Sequence, residues 1–247
     1  MLSADLYLLN TALVDTEQLI GLSSGLSPEE YRHWHEIRQP GRQREYLLGR
    51  VLLRRLLAER LHCPAGSLAF HIGEHGKPML CNHHWQFNLS HSGDWLVLAL
   101  CREGPLGVDI EMGLRRRPIL PLAERFYAPG EYLWLRTLPV QEQDSAFYRL
   151  WSRKEAVLKA HGAGIAAGRA VVDAGLATRH GFGIRTTAIE TALAALGLRQ
   201  QAIEAFDEIG VHRRNDGPRV SARACRAGHR HRHRAAPVRP GGRGPLP

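Results

Sequence analysis

The chain has 247 residues, of which 44% are apolar, enough for one large domain or two small ones around a shared core without help from disulfides or metals. It has no run of eighteen apolar residues and no basic n-region at its start, which argues against a membrane span and a signal peptide, while four cysteines without CxxC spacing point to reduced thiols in the cytoplasm. The net charge of +9 suggests nucleic acid at first sight, but ten Arg and a single acid lie in 213–247, leaving 23 basic and 23 acidic residues in 1–212.

Residues 1–40 read as a strand, with Leu6 and Leu8 apolar, followed by helical segments. Ser27-Pro28-Glu29-Glu30 is a helix start, with Ser as N-cap, Pro in the first turn and acids near the positive end of the dipole. Gly41 to Leu61 is the clearest helix: Leu47, Leu48, Val51, Leu52, Leu56 and Leu57 recur at three- and four-residue spacing. Arg44, Arg50, Arg54 and Arg55 lie among them. Ser67 to Ile72 reads as a strand, Gly73 to Pro78 as a turn, and Phe87 to Ser90 as another strand running into a polar loop, His91 to Asp94. Trp95 to Leu100 is a buried strand, and Leu106 to Glu111 follows the break at Gly104-Pro105.

Pro129 starts a helix that stops before Pro139. Phe147 to Ala160 is a second amphipathic helix, ended by His161-Gly162. Thr187 to Phe206 has a weaker helical pattern, with no strands expected beyond Gly168. From His212 the chain turns to Arg, His, Gly, Pro and Ala, a composition expected to be disordered. We read that tail as out-of-frame translation of GC-rich DNA, which an intact in-frame gene would overturn.

Chemistry concentrates in two places. In Gly107-Val108-Asp109-Ile110-Glu111, period two puts Val108 and Ile110 on one strand face and both carboxylates on the other. Such a pair suits a hard divalent cation, or else a solvated edge. In Trp151 to Lys159, Glu155 and Lys159 share a helix face, either as a third carboxylate with a phosphate contact or as a surface ion pair. The chain has only three lysines, Lys77, Lys154 and Lys159. In a chain that otherwise uses Arg, a retained Lys suggests a need for a compact ammonium. Ser90-His91 invites a hydrolase reading, but there is no GxSxG elbow.

Taken in order, Gly76-Lys77-Pro78, Phe87 to Ser92, Gly107 to Glu111 and Trp151 to Lys159 resemble the motif blocks of the Sfp-type 4′-phosphopantetheinyl transferases. The resemblance covers roughly 40–166. It implies an α+β fold of two similar half-domains related by a pseudo-two-fold axis, with the active site in the cleft between them. The halves would be 1–104 and 105–211, with the tail at 212–247. It also implies transfer of the phosphopantetheine arm of coenzyme A to a serine of an apo acyl or peptidyl carrier protein. Asp109, Glu111 and Glu155 would hold Mg²⁺. Lys154 and Lys159 would contact phosphates, with Lys159 also neutralising the departing 3′,5′-ADP. Lys77, Ser90 and His91 match nucleotide-binding positions, joined by Arg44 with Arg50 as competitor. Glu155, directly or through water, would be the base for the carrier serine. A monomer is expected. The rival readings are a catalytically impaired member that binds carrier or coenzyme A, and nucleic-acid binding through the tail.

Overall fold

A computed structural model describes residues 3–73, 76–102, 104–112 and 117–162, together with the backbone of two later strands. In chain order the elements are β1 (Ser3–Asn10), α1 (Thr16–Ser23), α2 (Pro28–Glu36), α3 (Pro40–Leu61), β2 (Phe70–Ile72), β3 (Pro78–Leu80), β4 (Gln86–Ser92), β5 (Trp95–Cys101), β6 (Leu106–Ile110), α4 (Ile119–Phe126), α5 (Pro129–Thr137), α6 (Val140–His161), β7 (Gly183–Thr186) and β8 (Ile209–Arg213). The fold is α+β in two halves, each built on a 22-residue helix laid against strands: α3 in the first, α6 in the second.

One sheet has the order β4-β5-β1-β7, antiparallel except where β7 runs parallel to β1. Period two explains why β5 reads as continuously apolar. Leu96, Leu98 and Leu100 face α3 with Tyr7, Leu9 and Phe87, while Val97, Ala99 and Cys101 face β6 with Leu6 and Leu8. Both faces are covered, so no polar alternation survives. On α3, Leu47, Leu48, Val51, Leu52, Leu56 and Leu57 are buried, each such side chain contributing about 1.5–3 kcal/mol of transfer free energy.

The helix start at Ser27 forms as its sequence indicates. Ser27 Oγ accepts from Glu30 N–H while the Glu30 carboxylate accepts from Ser27 N–H. Glu30 also accepts from Arg50 Nε at 2.7 Å and Arg54 Nε at 2.6 Å. Burial pushes its carboxyl up, but the two guanidiniums overcome burial and hold it below the usual range. Arg50 is thus committed to fastening α2 onto α3.

Several boundaries differ from the sequence reading. His91 and Ser92 belong to β4, paired with Leu96 and Trp95, so the hairpin turn is Gly93-Asp94 alone. Ala65–Ser67 is a short 3₁₀ turn, and the strand starts only at Phe70. Helix α6 begins at Val140, because its exposed, polar first turns carry no apolar period. Helix α4 was hidden by Pro118 and Pro121; a proline in a first turn removes only an N–H that has no helical partner. Strands do occur beyond Gly168: β7 joins β1, and β8 pairs antiparallel with β6. Strand β8 includes His212 and Arg213, overlapping the start of the expected tail. The helix expected at 187–206 and residues 214–247 lie outside the described residues. Cys63, Cys81 and Cys101 form no disulfide among the described residues, and no described helix is long and apolar enough to cross a membrane.

Candidate functional site

Strand β6 is placed between two partners. Leu106, Val108 and Ile110 pack against the underside of the four-stranded sheet. On the other face Gly107 lies against α6, with space for no side chain at all. Along its edge β6 meets β4, whose Asn88, Ser90 and Ser92 alternate toward it. Asn88 Oδ1 accepts from Val108 N–H at 2.8 Å, Ser90 Oγ donates to Asp109 Oδ1 at 2.8 Å, and Ser92 Oγ accepts from Met112 N–H at 3.1 Å. Ser92 Oγ also lies 3.4 Å from Glu111 Oε2. Side chains of β4 thus fix the height and register of Asp109 in β6 and of Glu111 just beyond it.

The centre of the cluster is a hydrogen-bonded knot, buried at Asp109 and Ser90 and partly exposed at Lys159. Lys159 Nζ donates to Asp109 Oδ1 at 2.6 Å, to Ser90 Oγ at 2.9 Å and to Val108 O at 3.2 Å. These contacts take up all three ammonium donors. Asp109 is 5% exposed, and its Oδ2 is buried without a hydrogen-bond partner among the described residues. Glu111 and Glu155 complete the acidic group. Burial raises the Glu111 carboxyl above the usual range, Asp109 raises it further and Glu155 adds to this, with Arg117 and Ser92 opposing. Glu111 therefore lies close enough to feel both of the other carboxylates.

This donor set fits a hard divalent cation: oxygen ligands only, one of them buried and unsatisfied, and a local excess of negative charge. Among the described residues, no three His, Cys, Asp or Glu side chains stand in ligating geometry. Lys159, not another carboxylate, is drawn against Asp109.

The turn of α6 separates its two lysines. Glu155 and Lys159 lie about 40° apart around the helix, whereas Lys154 and Lys159 lie about 140° apart. Lys154 is fully buried, with Nζ 2.6 Å from Glu131 Oε2 on α5 and 5.4 Å from the Tyr127 ring centre. The structure brings Lys159 to Asp109 and takes Lys154 into the packing of α4, α5 and α6. Ser152, on the Lys159 side of the helix, is also buried.

The residues matched to nucleotide binding are distributed unevenly. Ser90 is buried inside the knot. His91 faces α3, with Nε2 2.9 Å from Arg42 Nη1 and Nδ1 3.3 Å from Glu45 Oε2. A ring protonated on Nδ1 leaves Nε2 free to accept from Arg42, while Glu45 Oε2, though close to Nδ1, has no hydrogen-bond partner among the described residues. Burial lowers the His91 pKa, Arg42 and Lys159 lower it further, and Asp109 opposes them. Arg44 does not reach His91: its Nη1 donates to Thr11 O at 3.0 Å and to Val14 O. Lys77 Nζ donates to Leu106 O at 2.6 Å, where burial pushes its pKa down to about 8.

Sequence reasoning passed over Arg42, Glu45, Asn88 and Ser92. Period two applied to Phe87 through Ser92 would have found the last two, since Phe87 and Leu89 face the core and Asn88, Ser90 and Ser92 face away. The Arg42–His91 contact joins residues 49 apart and leaves no local signal.

Comparison with known proteins matches this architecture in two adjoining pieces. Residues 15–103 match the family described as 4′-phosphopantetheinyl transferase, N-terminal, and 105–195 match the 4′-phosphopantetheinyl transferase superfamily. The protein slr0495 of Synechocystis sp. is 38% identical over 158 residues, 62% of this chain and 64% of its own length. The 4′-phosphopantetheinyl transferase psf-1 of Bacillus pumilus is 42% identical over 127 residues, 51% of this chain and 53% of its own. The 4′-phosphopantetheinyl transferase HetI of Nostoc sp. is 34% identical over 171 residues, 67% of this chain and 72% of its own. The chain thus spans between about half and three quarters of the length of these curated relatives.

Proposed function

This chain belongs to the 4′-phosphopantetheinyl transferase superfamily, and on that premise we propose that it moves the phosphopantetheine arm of coenzyme A onto a serine of an apo acyl or peptidyl carrier protein. The observation that supports this reading best is the hydrogen-bonded knot of Asp109, Ser90 and Lys159 with Glu111 and Glu155 beside it. It sets acceptors for a cation next to a donor for phosphate. The two halves would meet near Gly104-Pro105, with the cleft between them.

In the reaction the carrier serine oxygen bonds to the β-phosphorus as the bond from that phosphorus to the bridging oxygen breaks. The leaving group is 3′,5′-ADP. Little covalent chemistry falls to the protein, and positioning and charge stabilisation dominate. Asp109, Glu111 and Glu155 would hold Mg²⁺, which when bound neutralises charge on the pyrophosphate. Lys159 would donate to a phosphate oxygen as negative charge builds on the leaving side. Glu155 would take the serine proton through a water, because a carboxylate engaged with a cation is a weak base. His91 and Arg42 would meet an anionic part of the nucleotide, and Lys77 would lie along it. Lys154, paired with Glu131, would hold α6 in place and touch no phosphate.

One chain supplies every residue of the knot, so we expect a monomer to be active. We place the protein in the cytoplasm. The test is to incubate it with coenzyme A, Mg²⁺ and a panel of apo carrier proteins and read intact masses. A carrier that gains one phosphopantetheine arm supports the reading, and a folded protein that modifies none of them defeats it.

A further inference from the structure

Asp109 and Lys159 hold each other in a way that bears on how the site is loaded. All three ammonium donors of Lys159 are engaged internally, on Asp109, Ser90 and Val108. Held so, the ammonium has no donor left for a phosphate. Asp109 Oδ1 already accepts from both Ser90 and Lys159, and among the described residues nothing bonds to the buried Oδ2. A divalent cation arriving at Oδ2 would share one carboxylate with an ammonium 2.6 Å from the other oxygen. The Asp109 side chain is buried and Lys159 is only partly exposed, so two positive charges so close repel, whether or not they use the same oxygen.

We propose that Asp109 is a contested seat: a divalent cation and the Lys159 ammonium compete for it, so that metal loading releases Lys159 from its internal partners and makes it available to phosphate. This inference rests on the reading of Asp109 as a cation ligand. Ser90 is the hinge point of the exchange, since its hydroxyl donates to Asp109 and accepts from Lys159. Buried between them, Ser90 acts as a positioning residue for the pair. The coupling is reciprocal: whatever factor the ammonium costs the metal, the metal costs the ammonium.

The scarcity of lysine makes this testable in the unmodified chain, since Lys77, Lys154 and Lys159 are the only ones. The wild-type protein is treated briefly with acetic anhydride, with and without Mg²⁺ alone, and acetylation at each lysine is read by peptide mass. Mg²⁺ is expected to raise modification of Lys159 roughly fivefold. Lys154, fully buried against Glu131, serves as the internal reference and stays unchanged. Unchanged or reduced modification of Lys159 overturns the proposal. Independently, Lys159→Met is expected to bind Mn²⁺ roughly tenfold more tightly than wild type, because the competitor is gone. Equal or weaker binding by the folded variant overturns the proposal, and if it does not fold, the labelling of wild type decides alone. Carrier modification is read separately. A chain that modifies a carrier while Lys159 ignores Mg²⁺ defeats this inference only. A chain whose Lys159 responds to Mg²⁺ but modifies no carrier defeats the transferase reading only.

Discussion

Gly107 stands so close to Ala156 that a methyl group on it would lie 2.0 Å from the Ala156 carbonyl oxygen, and 2.4 Å from Ala160 N. Both are helix backbone and have no rotamer with which to yield. This contact brings β6 onto α6, and so Asp109 within reach of Lys159. Gly107→Ala is expected to cost at least about 3 kcal/mol, the upper end for overpacking. Urea unfolding measures it; a variant as stable as wild type would show that β6 does not press on α6 in this way.

Asn88 is the one β4 side chain that satisfies a β6 backbone donor, Val108 N–H. Truncation leaves that donor without its partner beside a buried strand. Asn88→Ala is expected to lose about 1–3 kcal/mol, while Asn88→Asp, which keeps an acceptor oxygen, should lose less. Thermal melts of both variants check this. Equal losses would contradict the role given to the Asn88 acceptor oxygen.

Lys77 gives stability a pH dependence of known sign. Burial holds its ammonium down to about 8, against an ordinary value of 10.5, with the charge of Cys101 opposing. Between those values the unfolded chain binds the proton and the folded chain has released it. Stability therefore rises with pH across that window, and below it the full cost of a buried ammonium is present. Measured by urea at about pH 7.5 and about pH 9.5, wild type should gain relative to Lys77→Met. Parallel behaviour of the two proteins would contradict the shift.

Arg42 and Arg44 sit one helical half-turn apart and should fail differently. Arg44 holds the carbonyls of Thr11 and Val14, so Arg44→Ala is expected to lose about 1–3 kcal/mol of stability without changing coenzyme A affinity per folded molecule. Arg42 is exposed beside His91, so Arg42→Ala should melt within about 0.5 kcal/mol of wild type. Its coenzyme A binding should weaken roughly tenfold, the loss of one charge-assisted contact. Titration calorimetry and melts on both variants check this. The reverse pattern would return the anion contact to Arg44.

Most of the architecture was legible where one physical signal dominated. Leu47 to Leu57 repeat with the period of a helix, Trp95 to Leu100 are too apolar for a strand with a wet face, and Gly162 ends α6 in the left-handed region at φ 73°. Val108 and Ile110 face the core as period two requires, with Asp109 on the other side. What escaped was long-range or masked by local chemistry. The prolines around Ile119 hid α4, and the polar start of α6 hid its first turns. The partners of Arg44, Arg42 and Lys154 are set by which way each helix turns once packed, and motif spacing holds no record of that. Lys154 shows this most plainly: adjacent in sequence to Glu155, it faces Glu131 across a different interface.

If the cluster around Asp109, Lys159 and Glu155 performs the transfer, Glu155→Gln should abolish it. The substitution keeps size and hydrogen-bonding capacity but removes the charge and the proton acceptor. With coenzyme A, Mg²⁺ and a carrier that wild type modifies, the expected result is a folded variant whose rate of carrier mass gain falls at least about a hundredfold. A folded Glu155→Gln protein that modifies the carrier at the wild-type rate would show that the Glu155 carboxylate takes no part in the transfer.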